Sequence, residues 1–351
     1  MQCWIAVRAS GGRPRCAERG IVDESELIRR YFRSLGARRA DVRLGIGDDA
    51  ALLAVPAGSD LVMTTDALVE GVHFLPGAPA RSLGHRALAV NLSDIAAMGA
   101  TPSWMLLSLI LPEVQESWLS EFCAGLAPLA ERHSVALVGG NLSRGPLSIT
   151  VELAGLVPAG QALRRRGATP GEAIYVSGTP GDAAAGRLAG ASAASAPALI
   201  ERFEYPTPRV SLGEGLRGLA SACIDVSDGL YVDAQRMLAS SGCAGQIDAA
   251  LLPLSEALRS LAAKQGWSTT QLLRLVLGGG EDYELCFCAP AQRESALQAL
   301  AATLGERVTR IGEVTAGEGM SMTSSNPRIG ASDIPQLLES ALFDHFRHRE
   351  H

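Results

Sequence analysis

The chain has 351 residues, 47% hydrophobic and 19% charged, with 38 glycines and a net charge of -6. That is an ordinary globular composition at a length that suggests two domains. The mild negative charge offers no footprint for nucleic acid. No apolar run reaches the roughly 18 residues needed to cross a bilayer. The expectation is a cytoplasmic protein with neither a nucleic-acid nor a membrane partner.

The seven cysteines include no C-x-x-C pair, and Cys286 and Cys288 would share one strand face as packing residues. Of the 31 basic residues only Lys264 is a lysine, in a helix-end setting. A glycine-rich loop ending in a phosphate-binding lysine is therefore missing.

In chain order, residues 1–22 show no periodicity and are expected to form a disordered extension. Residues 23–35 place Leu27, Ile28, Tyr31, Phe32 and Leu35 on one helical face, with Asp23 as the cap. "DVRLGIGDDAALLAV" reads as strand, glycine turn, strand, and "DLVMTTDALVEGVHF" as a strand running into a loop. "SLGHRALAVNLSDIAAMG" is a helix that stops at Gly99. A strand "SWMLLSLILP", a helix "ESWLSEFCAGLAPLAERH" and the strands "SVALVGGN" and "LSITVELAGLVP" follow. The composition shifts in "AGQALRRRGATPGE", which sets a domain boundary near residue 160. Beyond it come "EAIYVSGTPGDAAAGRLAG" as strand, turn and helix, and the alanine-rich helix "ASAASAPALIERFEYPTP". "SACIDVSDGLYVDAQRMLASSG" reads as strand, acidic turn and helix, and "LRLVLGGGEDYELCFCAP" as strand, turn and strand.

Carboxylates recur at the ends of these apolar segments: Asp48 and Asp49, Asp66, Asp94, Asp225 and Asp228, Glu281 and Asp282, with Asn141 in a similar place. Any one of them reads as a cap or a turn residue. Their recurrence points to a site, because folds gather chemistry on the loops at strand ends. Asn91 and Asp94 share a face of an otherwise apolar helix, and few basic residues lie near these turns in sequence. An oxygen-only set without a Cys/His cluster points to Mg2+ rather than zinc. A nucleoside triphosphate is the partner that would use such metal. A nucleotide- or metal-binding scaffold without turnover is the alternative from another class.

"GIGDDAALL", "TTDALVEGVHF", "ALAVNLSDIAAMGATP", "GGN…RGPLSIT", "GTPGDAAAG", "DVSDGL" and "GGGEDYEL" occur in that order. The set resembles the thiamine-monophosphate kinase family of the aminoimidazole ribonucleotide synthetase-like superfamily, over residues 23 to 346. The resemblance implies an α/β (α+β) fold of two domains. Residues 23–160 would be an ATP- and Mg2+-binding dimerisation domain whose sheet forms a barrel with that of a second copy. Residues 161–346 would be a C-terminal α/β domain, and residues 347–351 a tail. It also implies a homodimer that moves the γ-phosphate of ATP directly onto thiamine monophosphate, the last step of thiamine diphosphate biosynthesis. Carried over by position, Asp48, Asp49, Thr64, Thr65, Asp66, Asp94, Asn141, Asp225 and Asp228 look like ligands of several Mg2+ ions. Among them Asp49, Asp66 and Asp94 are the expected catalytic residues. Gly140, Asn141, Arg165 and Ser227 resemble ATP contacts, and His73, Glu281 and Phe343 resemble substrate contacts. The family commonly has aspartate where this chain has Asn141.

Overall fold

Asp23 caps the first helix, α1 (Glu24–Leu27), by accepting a hydrogen bond from the Glu26 amide at 2.8 Å. The computed structural model describes residues 23–190 and 196–325; the expected extension at 1–22, Phe343 and the tail at 347–351 lie outside them. Past α1 the helix widens into a π turn over Ile28–Phe32, and Leu27, Phe32 and Leu35 are buried as the periodicity predicts. Two short antiparallel strands follow, β1 (Val42–Leu44) and β2 (Leu52–Leu53), with Asp48 and Asp49 in the turn between them.

The N-terminal sheet contains β3 (Ser59–Val69), β4 (Thr101–Leu111), β5 (Ala136–Arg144) and β6 (Ser148–Pro158). Their order is β3-β6-β4-β5, antiparallel except for the parallel β4/β5 pair. β5 and β6 are therefore not neighbours although a short turn joins them: β4 lies between. Helices α2 (Ala80–Ala97) and α3 (Glu116–Arg132) cover one face. They approach so closely that a Cβ on Gly84 would lie 2.0 Å from the Phe122 carbonyl oxygen. Side-chain alternation gives the sheet two characters. Leu68, Leu107, Leu109, Ile149, Val151 and Leu153 point into the core, while Leu61, Met63 and Leu106 stand exposed on the other face.

The second half contributes β7 (Ala173–Ser177), β8 (Ala222–Val226), β9 (Ala244–Asp248), β10 (Glu284–Ala289), β11 (Val308–Thr315) and β12 (Met320–Thr323), in the order β12-β9-β11-β7-β10-β8. Around them lie α4 (Asp182–Ala189), α5 (Pro197–Glu204), α6 (Val210–Gly215), α7 (Leu230–Ser240), α8 (Glu256–Gln265), α9 (Thr269–Gly278) and α10 (Glu294–Leu304). Cys286 and Cys288 are buried in this core. Lys264 sits in the last turn of α8.

One expected element is wrong. The segment before "GGGEDY" is helix α9, not a strand. Ser268 and Gln271 form a reciprocal capping box, and Leu273, Val276 and Leu277 are buried at helical spacing. Two other expectations need adjusting. The alanine-rich helix is described only from Pro197, since 191–195 lie outside the described residues. The helix start at "GTPGD" is taken up by the chain's own anion: the Asp282 carboxylate accepts from the Gly181 amide at 2.9 Å and from the Ala183 amide at 3.4 Å.

Helix α2 joins the two halves. Its residues are buried on nearly every side, and Leu88, Leu92 and Ile95 share a core with Tyr175, Leu212, Leu285 and Phe287 of the second half. Among the described residues no helix is long and apolar enough to cross a membrane.

Candidate active site

The cleft between the halves is built on α2. Ser93 and Asp94 occupy its last turns, Thr64 and Asp66 project from the helix-facing side of β3, and Asp225 ends β8. Thr64 donates its hydroxyl to Asp94, and Ser93 donates to Asp225 at 3.0 Å. Thr64, Asp94, Asp225 and Arg164–Arg166 line a cavity of about 550 Å³. Burial raises the Asp94 carboxyl, against the Thr64 hydrogen bond and the positive charge of Arg165. Burial also raises Asp225 well above its usual range, with the Asp94 charge adding to it. Asp66 is pushed up to about 7 by burial and by the negative charges of Asp94, Glu281 and Asp228, although its open side to water works against that shift. None of Asp66, Asp94 and Asp225 forms an ion pair with a described residue. These carboxyls stand close together without an ion-pair partner among the described residues, and only the exposed Arg165 answers Asp94 at a distance.

The expectation that basic residues are scarce around the acidic turns fails at the other carboxylates. Arg236 pairs with both Asp228 and Asp233. Asp233 in turn accepts from the amides of Ser227, Asp228 and Gly229 at 2.9–3.1 Å, which fixes the "DVSDG" turn. Glu281 accepts from Arg86 at 2.6 Å and from the Tyr283 hydroxyl at 3.2 Å. Glu284 is fully buried between Arg202 and Arg209: burial raises its carboxyl, but the two arginines bring it below its ordinary value. The arginine partners of Glu281 and Glu284 lie 75 to 195 positions away in sequence, whereas Arg236 and Tyr283 are local to the acids they meet.

A second set of expected residues lies on the open face of the N-terminal sheet. Asp48, Asp49, Gly140 and Asn141 line a groove of about 1140 Å³ together with Ser108, Thr150 and Glu152. Asp48 and Asp49 are exposed and hydrated, so the fold itself bears little desolvation cost for their adjacency. Thr65 pairs with Glu152 and shares this face, pointing away from its neighbours Thr64 and Asp66. Asn141 donates to the Ser143 hydroxyl at 2.8 Å. At Gly140 a Cβ would lie 1.9 Å from the Leu107 carbonyl oxygen, so only glycine lets β5 approach β4 there. The structure thus divides the expected residues between the interdomain cleft and the open-face groove. His73 sits in the turn after β3, its Nδ1 accepting from the Val69 amide at 3.0 Å. Ser227 belongs to the acidic turn at the cleft, and Arg165 is an exposed residue of its rim.

Sequence reasoning passed over Arg86, Asp233 and Tyr283, and counted Asp282 with the site acids although it holds the Gly181 and Ala183 amides. Arg86 carried a signal, being a charge inside an otherwise apolar helix. Asp233 and Tyr283 carried none, since they act by holding the turn amides and the Glu281 carboxylate in the folded chain.

Among the described residues no three His, Cys, Asp or Glu side chains stand close enough to hold an ion unaided. Mg2+ does not require this, because it keeps several waters and is held through one or two carboxylates plus substrate phosphates. The oxygen-only donors and the unpaired charge of Asp66, Asp94 and Asp225 fit such a hard cation.

Residues 47–157 match the family model of the AIR synthase related protein N-terminal domain, and residues 169–324 match that of the C-terminal domain. The thiamine-monophosphate kinase of Escherichia coli strain K12 is 46% identical over 330 residues, covering 92% of this chain and 98% of its own. A crystal structure of thiamine-monophosphate kinase from Stenotrophomonas maltophilia K279a superposes with a TM-score of 0.77 at 45% identity, covering 81% of this chain and 92% of that one. AaThiL complexed with AMPPCP and TMP superposes with a TM-score of 0.70 at 35% identity, over 80% of this chain and 90% of that one. Since matches of this length and identity take in both halves of the cleft, the chain belongs to the thiamine-monophosphate kinase family of AIR synthase related proteins.

Proposed function

We propose that this protein transfers the γ-phosphate of ATP directly onto thiamine monophosphate, giving thiamine diphosphate and ADP, with Mg2+ as its metal. The carrying observation is the unpaired carboxylates of Asp94 and Asp225 on a cleft shared by both halves of a family member, with Asp66 near enough to feel the Asp94 charge. The AMPPCP and TMP of the AaThiL complex support the choice of substrates. Asp66, Asp94, Asp225 and Thr64 are the proposed metal holders in the cleft, with Asp48, Asp49, Thr65, Asn141 and Asp228 at its margins and on the open face. When bound, Mg2+ neutralises the phosphoryl oxygens and lets two anions approach each other.

The chain's own residues do the rest. Arg165 and Ser227 at the cleft and Gly140 and Asn141 in the open-face groove are the proposed nucleotide contacts, and His73 and Glu281 the proposed acceptor contacts. That acceptor is already a phosphate oxyanion, so no side chain has to remove a proton. The "DVSDG" turn and Thr64 keep the carboxylates in place before substrate arrives, which is the form of catalysis that positioning allows. The protein acts as a homodimer in the cytoplasm. The exposed apolar side chains on the sheet's open face support pairing with a second copy.

Purified protein incubated with ATP, Mg2+ and thiamine monophosphate is expected to form thiamine diphosphate, and to stop when excess EDTA is added. No product, or equal product in EDTA, refutes the reading.

A further inference from the structure

Arg86 is 2% exposed, the most deeply placed charge on α2, and its Nε has no hydrogen-bond partner among the described residues. Burying a guanidinium with an unmet donor costs stability, and a similarly sized apolar residue would avoid that cost. Stability therefore does not explain it. Its surroundings do. Its guanidinium carbon lies 4.5 Å from the centre of the Phe203 ring on α5, and Nη2 donates to Glu281 Oε2 at 2.6 Å. An N-terminal-domain arginine thus reaches across the cleft wall, sits over an aromatic ring of the second half, and grips one oxygen of a carboxylate there.

Glu281 is fixed through its backbone too. Its φ is +66° and that of Tyr283 is +51°, backbone values that side-chain-bearing residues seldom adopt. Such strain persists where the surroundings over-determine it. The Glu281 amide donates to the Ser227 carbonyl and the Tyr283 amide to the Val226 carbonyl, both at 2.8 Å, tying the loop to the acidic turn. The Tyr283 hydroxyl adds a second donor to the same Oε2. Among the described residues nothing donates to Oε1. The Glu281 side chain keeps 24% of its surface open, and its charge is felt at Asp66.

We infer that Arg86 is a positioning residue that pins Oε2 of Glu281 so that Oε1 is presented to the cationic thiazolium end of the acceptor. This deepens the kinase reading and rests on it. A phosphate-bearing substrate with a permanent positive charge would place its two ends against opposite demands: its phosphate near the donor, its cation against a fixed carboxylate. ATP has no such cation, so the device acts on the acceptor alone.

The test compares wild type with Arg86→Lys, Arg86→Met, Glu281→Gln and the Arg86→Met/Glu281→Gln pair, by KM for each substrate, kcat and thermal melting. Arg86→Met and Glu281→Gln are each expected to raise the KM for thiamine monophosphate about tenfold or more and to leave the KM for ATP within about twofold. The pair should be no worse than the worse single change, since both remove one device. Arg86→Lys should fall between wild type and Arg86→Met, because a lysine keeps the charge but loses the planar fork over Phe203. Multiplicative losses in the pair, or equal rises in both KM values, overturn the inference. If Arg86→Met does not fold, a folded Arg86→Lys with wild-type acceptor KM overturns it, and a selective rise supports it. Wild-type protein that makes no thiamine diphosphate refutes the kinase reading itself. An active wild type whose acceptor KM is indifferent to Arg86 refutes only this inference.

Discussion

At the scale of single residues, function here depends on which carboxylates have partners. Glu281, Asp228 and Glu284 are paired with arginines; Asp66, Asp94 and Asp225 are not. Asp94→Asn keeps the size and the bond to Thr64 but removes a charge. Turnover is expected to fall about 10²–10³-fold, the scale of losing one well-placed electrostatic contact in a transition state. Melting of the metal-free protein should stay level or rise, since an unpaired charge has been removed from the cleft. Near-normal turnover at saturating Mg2+ would show that Asp94 serves the helix only. Asn141 gives the opposite case. Asn141→Asp adds a charge to an exposed position beside Asp48 and Asp49 and gives up a donor to Ser143. Hard cations bind more tightly to more anionic ligand sets. The Mg2+ concentration for half-maximal rate should therefore fall, with activity retained. An unchanged Mg2+ titration would mean that Asn141 only shapes the strand end.

At the scale of elements, His85 on α2 and His133 at the C-cap of α3 are both shifted down by the fold. His85 is lowered by burial, while its Nε2 bonds the Pro206 carbonyl at 2.8 Å. His133 is lowered to about 4 by burial and by the charges of Arg132 and His85, against the pull of the α3 C-terminus, which favours a cation. Depressed histidines bind fewer protons when folded than when unfolded. Their stabilisation is thus complete above about 6.5, the unfolded value, and drains away as pH falls toward about 4. Thermal melts from pH 7.5 to 4.5 should show this loss, and His85→Gln with His133→Gln should flatten it. An equally steep loss in the double variant would assign it to other groups. The same elements show what the sequence could reveal. Helix α2 was legible because Gly99 and an apolar run bound it, and α1 because Asp23 is a cap. Helix α9 was misread because "LRLVL" is too short an apolar run to tell helix from strand by period, and the Ser268–Gln271 capping box was the overlooked signal. Asp66, Asp94 and Asp225 were legible as acids at strand and helix ends. Arg86 contacts Phe203 and Glu281 across 117 and 195 positions, and no local pattern announces such a triad.

At the scale of the whole molecule, the N-terminal sheet spends one face on the core and leaves the other apolar and open, with Met63 62% and Leu61 46% exposed. That face is proposed to pack against a second copy of the chain. Sedimentation should give twice the monomer mass for the parent protein and the monomer mass for Met63→Glu; a monomeric parent would contradict the assignment. The cleft, for its part, joins both halves through α2, so phosphoryl transfer is a property of the assembled fold and of neither half alone. The most direct test of this account is a rapid-quench single turnover with [γ-32P]ATP, Mg2+ and excess thiamine monophosphate. Direct transfer requires that label pass from ATP to thiamine diphosphate in one phase, with no labelled protein at any time. Label trapped on the protein, or released only as inorganic phosphate, would contradict it.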